Sequence, residues 1–183
     1  MLEITIPEVE LYDPISETFE YSAETVLILE HSLLSISKWE AKWNKSLLET
    51  VEKRELTFEK FIDYVKCMTV GKIPDEKVYR SITDKNVKEI VEYMNASMTA
   101  TTIAKNNKRA LKRRSITSEL IYYWMIANGI PFECQKWHIN RLLTLIQVCS
   151  AENSPKKKMR KQDVLKSYAE QNAKRKAALN TRG

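Results

Sequence analysis

The sequence predicts a mainly α protein of the α+β kind: a small N-terminal antiparallel β element, then a helical domain ending in an antiparallel helix hairpin, then a basic helical tail. Three observations carry this prediction. Apolar residues alternate with polar ones only near the start of the chain and recur at three- and four-residue spacing after it. Gly occurs three times and Pro five times in 183 residues, too few for a sandwich or barrel that turns roughly every 8–12 residues. With 43% apolar and 30% charged residues, the composition suits one globular domain with tails.

Residues 1–32 read as an acidic β element. Leu2, Ile4 and Ile6 alternate with Glu3 and Thr5, the period of a half-buried strand. Pro7 and the Asp13-Pro14 pair punctuate the stretch after it, and Phe19 with Tyr21 suggests a second strand. The run Val26-Leu27-Ile28-Leu29 is a third strand candidate, with a helix from Ala23 onward as its competitor, because short apolar runs fit both.

Residues 33–98 form the first helical part. Ile36, Trp39, Trp43 and Leu47 recur at helical spacing. Thr57 is a good N-cap for a helix whose face is Phe58, Phe61, Ile62, Val65 and Met68, with Gly71 as its stop. Pro74-Asp75-Glu76 opens a short helix or turn, and Thr83-Asp84 begins a helix with the stripe Val87, Ile90, Val91 and Met94.

Residues 99–116 read as a basic mobile linker, poor in large apolar side chains. Residues 117–152 read as the apolar helix hairpin. Thr117 or Ser118 caps a helix through Ala127, Gly129 stands at its C′ position, and Ile130-Pro131-Phe132 connects. A second helix from about Glu133 carries Ile139, Leu142, Leu143, Ile146 and Cys149 on one face. Residues 153–183 are the basic tail, helical from about Gln162.

The net charge of +6 conceals a gradient. Residues 1–30 hold eight acids and no Lys or Arg, residues 31–103 are nearly balanced, and the segments 104–150 and 151–183 carry +6 and +7. Such asymmetry points to an acidic partner for the C-terminal end, or to pairing with the acidic start within or between chains. Lys105, Lys108, Arg109, Lys112, Arg113 and Arg114 form one basic docking segment, and Lys156, Lys157, Lys158, Arg160 and Lys161 form another. Phosphate binding, a solvated charge run and docking to an acidic protein all fit these segments.

No apolar run approaches the roughly 18 residues of a membrane span, and the first residues lack the pattern of a secretory signal. Three widely spaced cysteines fit reduced thiols. There is no Gly-rich phosphate loop, Ser elbow or recognisable carboxylate pair, so no catalytic residue, cofactor or metal is assigned and the chain is expected not to be an enzyme. Cys134 and His138 stand at i, i+4 and would share a helix face. That spacing fits two metal ligands or a thiolate–imidazole pair, but Cys67, Cys149 and His31 form no second paired motif, and a small buried Cys beside a hydrogen-bonded His is the favoured reading.

The aromatic residues are the other candidate. Tyr122, Tyr123 and Trp124 are consecutive and point in three directions from one helical turn. Either their helix is surrounded by core, or part of the cluster is a protein-binding surface, since Tyr, Trp and Met are enriched at interface cores. On the second reading the binding residues are Trp39, Trp43, Tyr122, Tyr123, Trp124, Met125, Trp137 and Arg141.

Three stretches together carry a resemblance. They are Leu29-Glu30-His31-Ser32-Leu33 with Ser37-Lys38-Trp39-Glu40, then Tyr122-Tyr123-Trp124-Met125 with Ile130-Pro131-Phe132, and then Trp137-His138-Ile139-Asn140-Arg141-Leu142-Leu143-Thr144-Leu145-Ile146. In this combination the chain resembles the tail assembly chaperones of long-tailed bacterial viruses, over residues 1 to about 150. The resemblance implies a non-enzymatic role in the host cytoplasm: binding the tape-measure protein, and tube subunits, before the tail polymerises. The basic C-terminal end departs from that pattern and leaves two alternatives. One is a structural virion protein of the neck, tail or baseplate, and the other is a nucleic-acid-binding protein using the basic segments. A homo-oligomer is compatible with all three.

Overall fold

The computed structural model describes residues 1–13, 17–101, 115–153 and 161–179. The chain divides into two units, Met1–Ala151 and Glu152–Gly183.

The first unit begins with β1 (Leu2–Ile6), β2 (Val9–Asp13), β3 (Thr18–Ser22) and β4 (Thr25–Leu29). β1 pairs antiparallel with β4, and β2 with β3. One register runs through both ladders: Ile6 faces Thr25 at the end of the first, and Val9 faces Ser22 at the start of the second. The strands are therefore two halves of a single two-stranded ribbon. Pro7, which has no N–H to give to a ladder, stands at the interruption. The run from Thr25 is a strand, which resolves its competition with a helix.

The two halves bury opposite faces. In the inner half Ile4, Ile6, Leu27 and Leu29 are buried, while Val26 and Ile28 on the other face are exposed. By strand alternation Tyr12, Phe19 and Tyr21 continue the face of Ile4 and Ile6, yet all three are exposed. Ser22, on the opposite face, is buried, and Glu20 beside it is half-buried. The buried side therefore switches across the interruption at Pro7, a change that the large twist of two-stranded ribbons accommodates.

The helices are α1 (Leu33–Trp43), α2 (Leu47–Glu52), α3 (Phe58–Met68), α4 (Glu76–Arg80), α5 (Asp84–Asn95), α6 (Ser118–Ala127) and α7 (Ile139–Asn153). Ser32, Thr57, Thr83 and Thr117 each accept a backbone N–H from the first turn of the adjoining helix, so α1, α3, α5 and α6 start where their caps dictate. α1 lies at the centre and packs against α3 and α6. Its Leu33, Ile36 and Trp39 share one core with the inner ribbon, with Tyr64, Val65 and Met68 of α3, and with Ile121 and Met125 of α6. The chain leaving α3 returns to the ribbon edge, where Val70 N–H donates to the Ile28 carbonyl and Glu30 N–H donates to the Met68 carbonyl.

Two expected stripes keep their centres, with Phe61, Val65, Met68 and Ile90 buried, and change at one edge. Phe58 and Val91 are exposed, while Tyr64 and Tyr93 are buried. The second helix of the apolar region does not begin near Glu133. A 3-10 helix, Phe132–Lys136, comes first, Trp137 is extended, and α7 begins at Ile139.

The second unit contains α8 (Lys161–Leu179), a helix with Leu165, Tyr168 and Leu179 exposed. Among the described residues no helix is long and apolar enough to cross a membrane.

Candidate functional site

The expected binding residues separate into three groups. Trp39 and Met125 are fully buried, and their placement on a binding surface is corrected: both are core. Trp39 sits at the α1 position facing α3, where its indole N–H donates to the Lys60 carbonyl at 3.0 Å. Trp43 is half-buried. It stacks on Trp39 at 6.1 Å between centroids, and the Lys42 and Lys60 ammonium groups lie 5.8 and 5.5 Å from its ring. These contacts pin Trp43 to the body.

The remaining residues gather around α6. Ser118, Ile121 and Met125, at three- and four-residue spacing, form the buried side of this helix. Tyr123 (62% exposed) and Ile126 (63%) lie one turn apart on its open side, and Phe132 (53%) comes just after the helix. Tyr122 is half-buried, with its ring 6.3 Å from that of Phe132 and its hydroxyl donating to Gln135 at 2.8 Å. Trp124 is half-buried too. Trp137 is half-buried beneath the Arg141 guanidinium, which lies 4.1 Å from its ring centre. α6 is thus not surrounded: one side is core and the other is an open aromatic and aliphatic face. Ile126 and Phe132 were not among the expected residues. Their signal was present, because Ile126 stands at i+3 from Tyr123, away from the Ile121–Met125 stripe.

α6 is held firmly at both ends. At its C-terminus Gly129 takes a positive φ of 65°, Ile130 N–H donates to the Met125 carbonyl and Gly129 N–H donates to the Ile126 carbonyl. This is a Schellman cap, which requires a residue tolerant of the left-handed region. At its N-terminus the buried Glu40 carboxylate accepts the Ser118 N–H at 2.7 Å. The other Glu40 oxygen accepts the Leu47 N–H at 3.0 Å. One carboxylate from α1 therefore caps both α2 and α6, where the helix dipoles favour negative charge.

The two histidines come together in a buried polar junction. His31 and the Tyr64 hydroxyl share a hydrogen bond of 2.5 Å, and the His31 ring is 5.0 Å from that of His138. Asn140 N–H donates to His138 Nδ1 at 3.3 Å, which leaves Nε2 to donate to the Tyr93 carbonyl at 2.9 Å. Burial, with His138 next to it, pushes the His31 imidazole down to about 3. Burial also lowers His138, opposed by its bond to the Tyr93 carbonyl and assisted by the Met1 ammonium. Both rings are neutral at pH 7 and out of reach of solvent. They tie the ribbon exit to α3, α5 and the start of α7.

Cys134 and His138 do not share a helix face, because the 3-10 helix ends and the chain extends at Trp137 between them. Cys134 is buried, and burial raises the Cys67 thiol. Among the described residues no three His, Cys, Asp or Glu side chains gather to hold a metal ion. Lys105, Lys108, Arg109, Lys112, Arg113, Arg114, Lys156, Lys157, Lys158 and Arg160 lie outside the described residues, and Lys161 opens α8.

No family model matches this chain, and no curated protein or solved structure shows significant similarity to it.

Proposed function

We propose that this chain is a protein-binding assembly factor of the tail assembly chaperone kind, acting by contact rather than by catalysis. The observation that carries the reading is the open face of α6, where Tyr123 and Ile126, with Phe132 just beyond the helix, are more than half exposed while the helix's other side is locked into the core. Exposed aromatic and aliphatic side chains on a rigid helix suit the apolar stripe of a partner helix, read at i, i+3 and i+4 spacing. A tape-measure protein is a long, mostly helical polymer that presents such stripes before assembly. Repeated sites along one polymer are engaged by avidity when two or more copies of this chain are linked in an oligomer, so each contact is then modest in affinity. The sequence resemblance over residues 1 to about 150 supports the same reading, and with it a place in the host cytoplasm during tail assembly.

Co-expression of the full chain with fragments of the tape-measure protein from the same virus tests the proposal. A fragment is expected to co-purify, and the double variant Tyr123→Ser, Ile126→Ser is expected to lose it while its circular dichroism stays unchanged. Failure of every fragment to co-purify, or binding that survives the double variant, overturns the reading. Mass spectrometry of purified virions is expected to lack the chain, whereas stable incorporation would favour a structural role.

A further inference from the structure

The outer half of the ribbon carries an exposed face that the proposed α6 contact does not use. Tyr12, Phe19 and Tyr21 lie on one side of the β2–β3 ladder and are 55%, 72% and 59% exposed. The Tyr12 and Phe19 rings sit 5.3 Å apart across the ladder, and the Tyr21 hydroxyl donates to Glu8 at 2.6 Å. Glu10 shares this face, and Glu17 stands at the tip, both exposed. The opposite side is engaged with the body, because Glu20 pairs with Lys77 of α4 at 3.2 Å. The aromatic side is therefore ordered, acidic at its margins and uncovered.

A second element is complementary to this face. α8 exposes Leu165 and Tyr168 one turn apart, with exposed Lys166 and Arg175 on either flank of that side. A helix of 19 residues with so little apolar surface is marginal alone in water. The lengths correspond: five ribbon residues span ~17 Å, and the turns from Lys166 to Arg175 span ~14 Å. The charges correspond as well, since residues 1–30 contain eight acids and no Lys or Arg.

We propose that the aromatic and acidic face of the outer ribbon docks α8 of a second copy of this chain, by reciprocal exchange in a two-fold dimer. Leu165 and Tyr168 lie on the Tyr12, Phe19 and Tyr21 rings, while Lys166 and Arg175, which flank that side of the helix by its 3.6-residue period, meet Glu10 and Glu17. Reciprocal exchange closes the assembly at two copies and uses each surface twice.

Light scattering on a sizing column, with the full chain, tests the proposal. A mass twice that of the 21.4 kDa chain is expected at low ionic strength. Dissociation is expected to become about tenfold or more easier between about 50 mM and about 500 mM NaCl, as screening weakens the charged margins. Glu10→Lys with Glu17→Lys is expected to give monomers, as is Lys166→Glu with Arg175→Glu. Mixing the two variants is expected to restore a dimer, the result that a merely unfolded variant cannot give. A chain that is monomeric at all concentrations in low salt overturns the proposal. So does a dimer that survives both charge reversals, or a mixture of the two that stays monomeric.

Discussion

The two halves of the ribbon share one register and the same alternation of large apolar side chains, yet they have opposite fates. Ile4, Ile6, Leu27 and Leu29 of the inner half are at most 2% exposed, and they set the floor on which α1 and α3 pack. Tyr12, Phe19 and Tyr21 occupy the same face further out along the ribbon and remain more than half exposed. The difference teaches that strand periodicity specifies which residues lie together and not what covers them. What covers them is decided by the break at Pro7 and by the elements beyond it. The composition matches the fates: aliphatic side chains fill the covered half, and rings with glutamates between them populate the open one.

The largest effects are expected where the covered region is emptied or its polar ties are cut. Glu40→Ala removes the acceptor of two buried N–H groups at once, each worth about 1–3 kcal/mol when orphaned, so a loss of about 4 kcal/mol is expected in urea unfolding. Ile6→Ala leaves a cavity beneath the inner ribbon and is expected to cost about 3 kcal/mol. If Ile6→Ala proved no more harmful than an outer-ribbon substitution, the contrast between the halves would fail.

A change of pH probes the same covered region without mutation. His31 titrates at about 3 when folded and near 6.5 when unfolded, so below pH 6.5 the unfolded chain binds the extra proton. Stability is therefore complete above about pH 6.5 and falls as pH drops, by up to about 1.4 kcal/mol per pH unit from this one group. His138 is lowered too and adds to the slope in the same direction. Its protonation would set a new Nδ1–H against the Asn140 N–H, donor against donor. Urea midpoints at about pH 7 and about pH 5 check this, because most carboxylates remain ionised across that window. Equal midpoints would mean that the junction opens to water.

Much of the fold was legible because its signals are short. Thr57, Thr83 and Thr117 each act within three residues of themselves, and Gly129 acts within five, so the helix starts and the Schellman stop could be read one after another. Glu40 was not legible as a cap, although it lies next to Trp39 on the core side of α1. The N–H it accepts from Ser118 is 78 residues away in sequence, beyond any periodicity. The expected Cys134–His138 face failed for a different reason: nothing in an i, i+4 spacing reveals that the intervening turn is a 3-10 helix leading into an extended residue. The α6 surface was partly legible. Three consecutive aromatics announced more than one exposed direction, but only packing separates buried Met125 from open Tyr123.

The smallest expected effects belong to the outer half, and they sharpen the contrast most. Phe19→Ser removes a ring with no core of its own chain beneath it and is expected to change the stability of the dilute monomer by less than about 0.5 kcal/mol. Lys77→Ala breaks the ion pair that fastens Glu20 to α4, and a partly exposed pair of this kind is worth about 0.5 kcal/mol. Its consequence should be local. The ladder from Val9–Ser22 to Asp13–Thr18 would open more often, while the ladder from Leu2–Leu29 to Ile6–Thr25 stays closed under the core. Amide hydrogen exchange resolves the two, because local opening raises exchange only at the amides that it exposes. In Lys77→Ala the β2 and β3 amides are expected to exchange about twofold faster, with those of β1 and β4 unchanged. Equal acceleration in both halves would mean that the ribbon opens as one unit, and that Pro7 divides it in shape but not in energy.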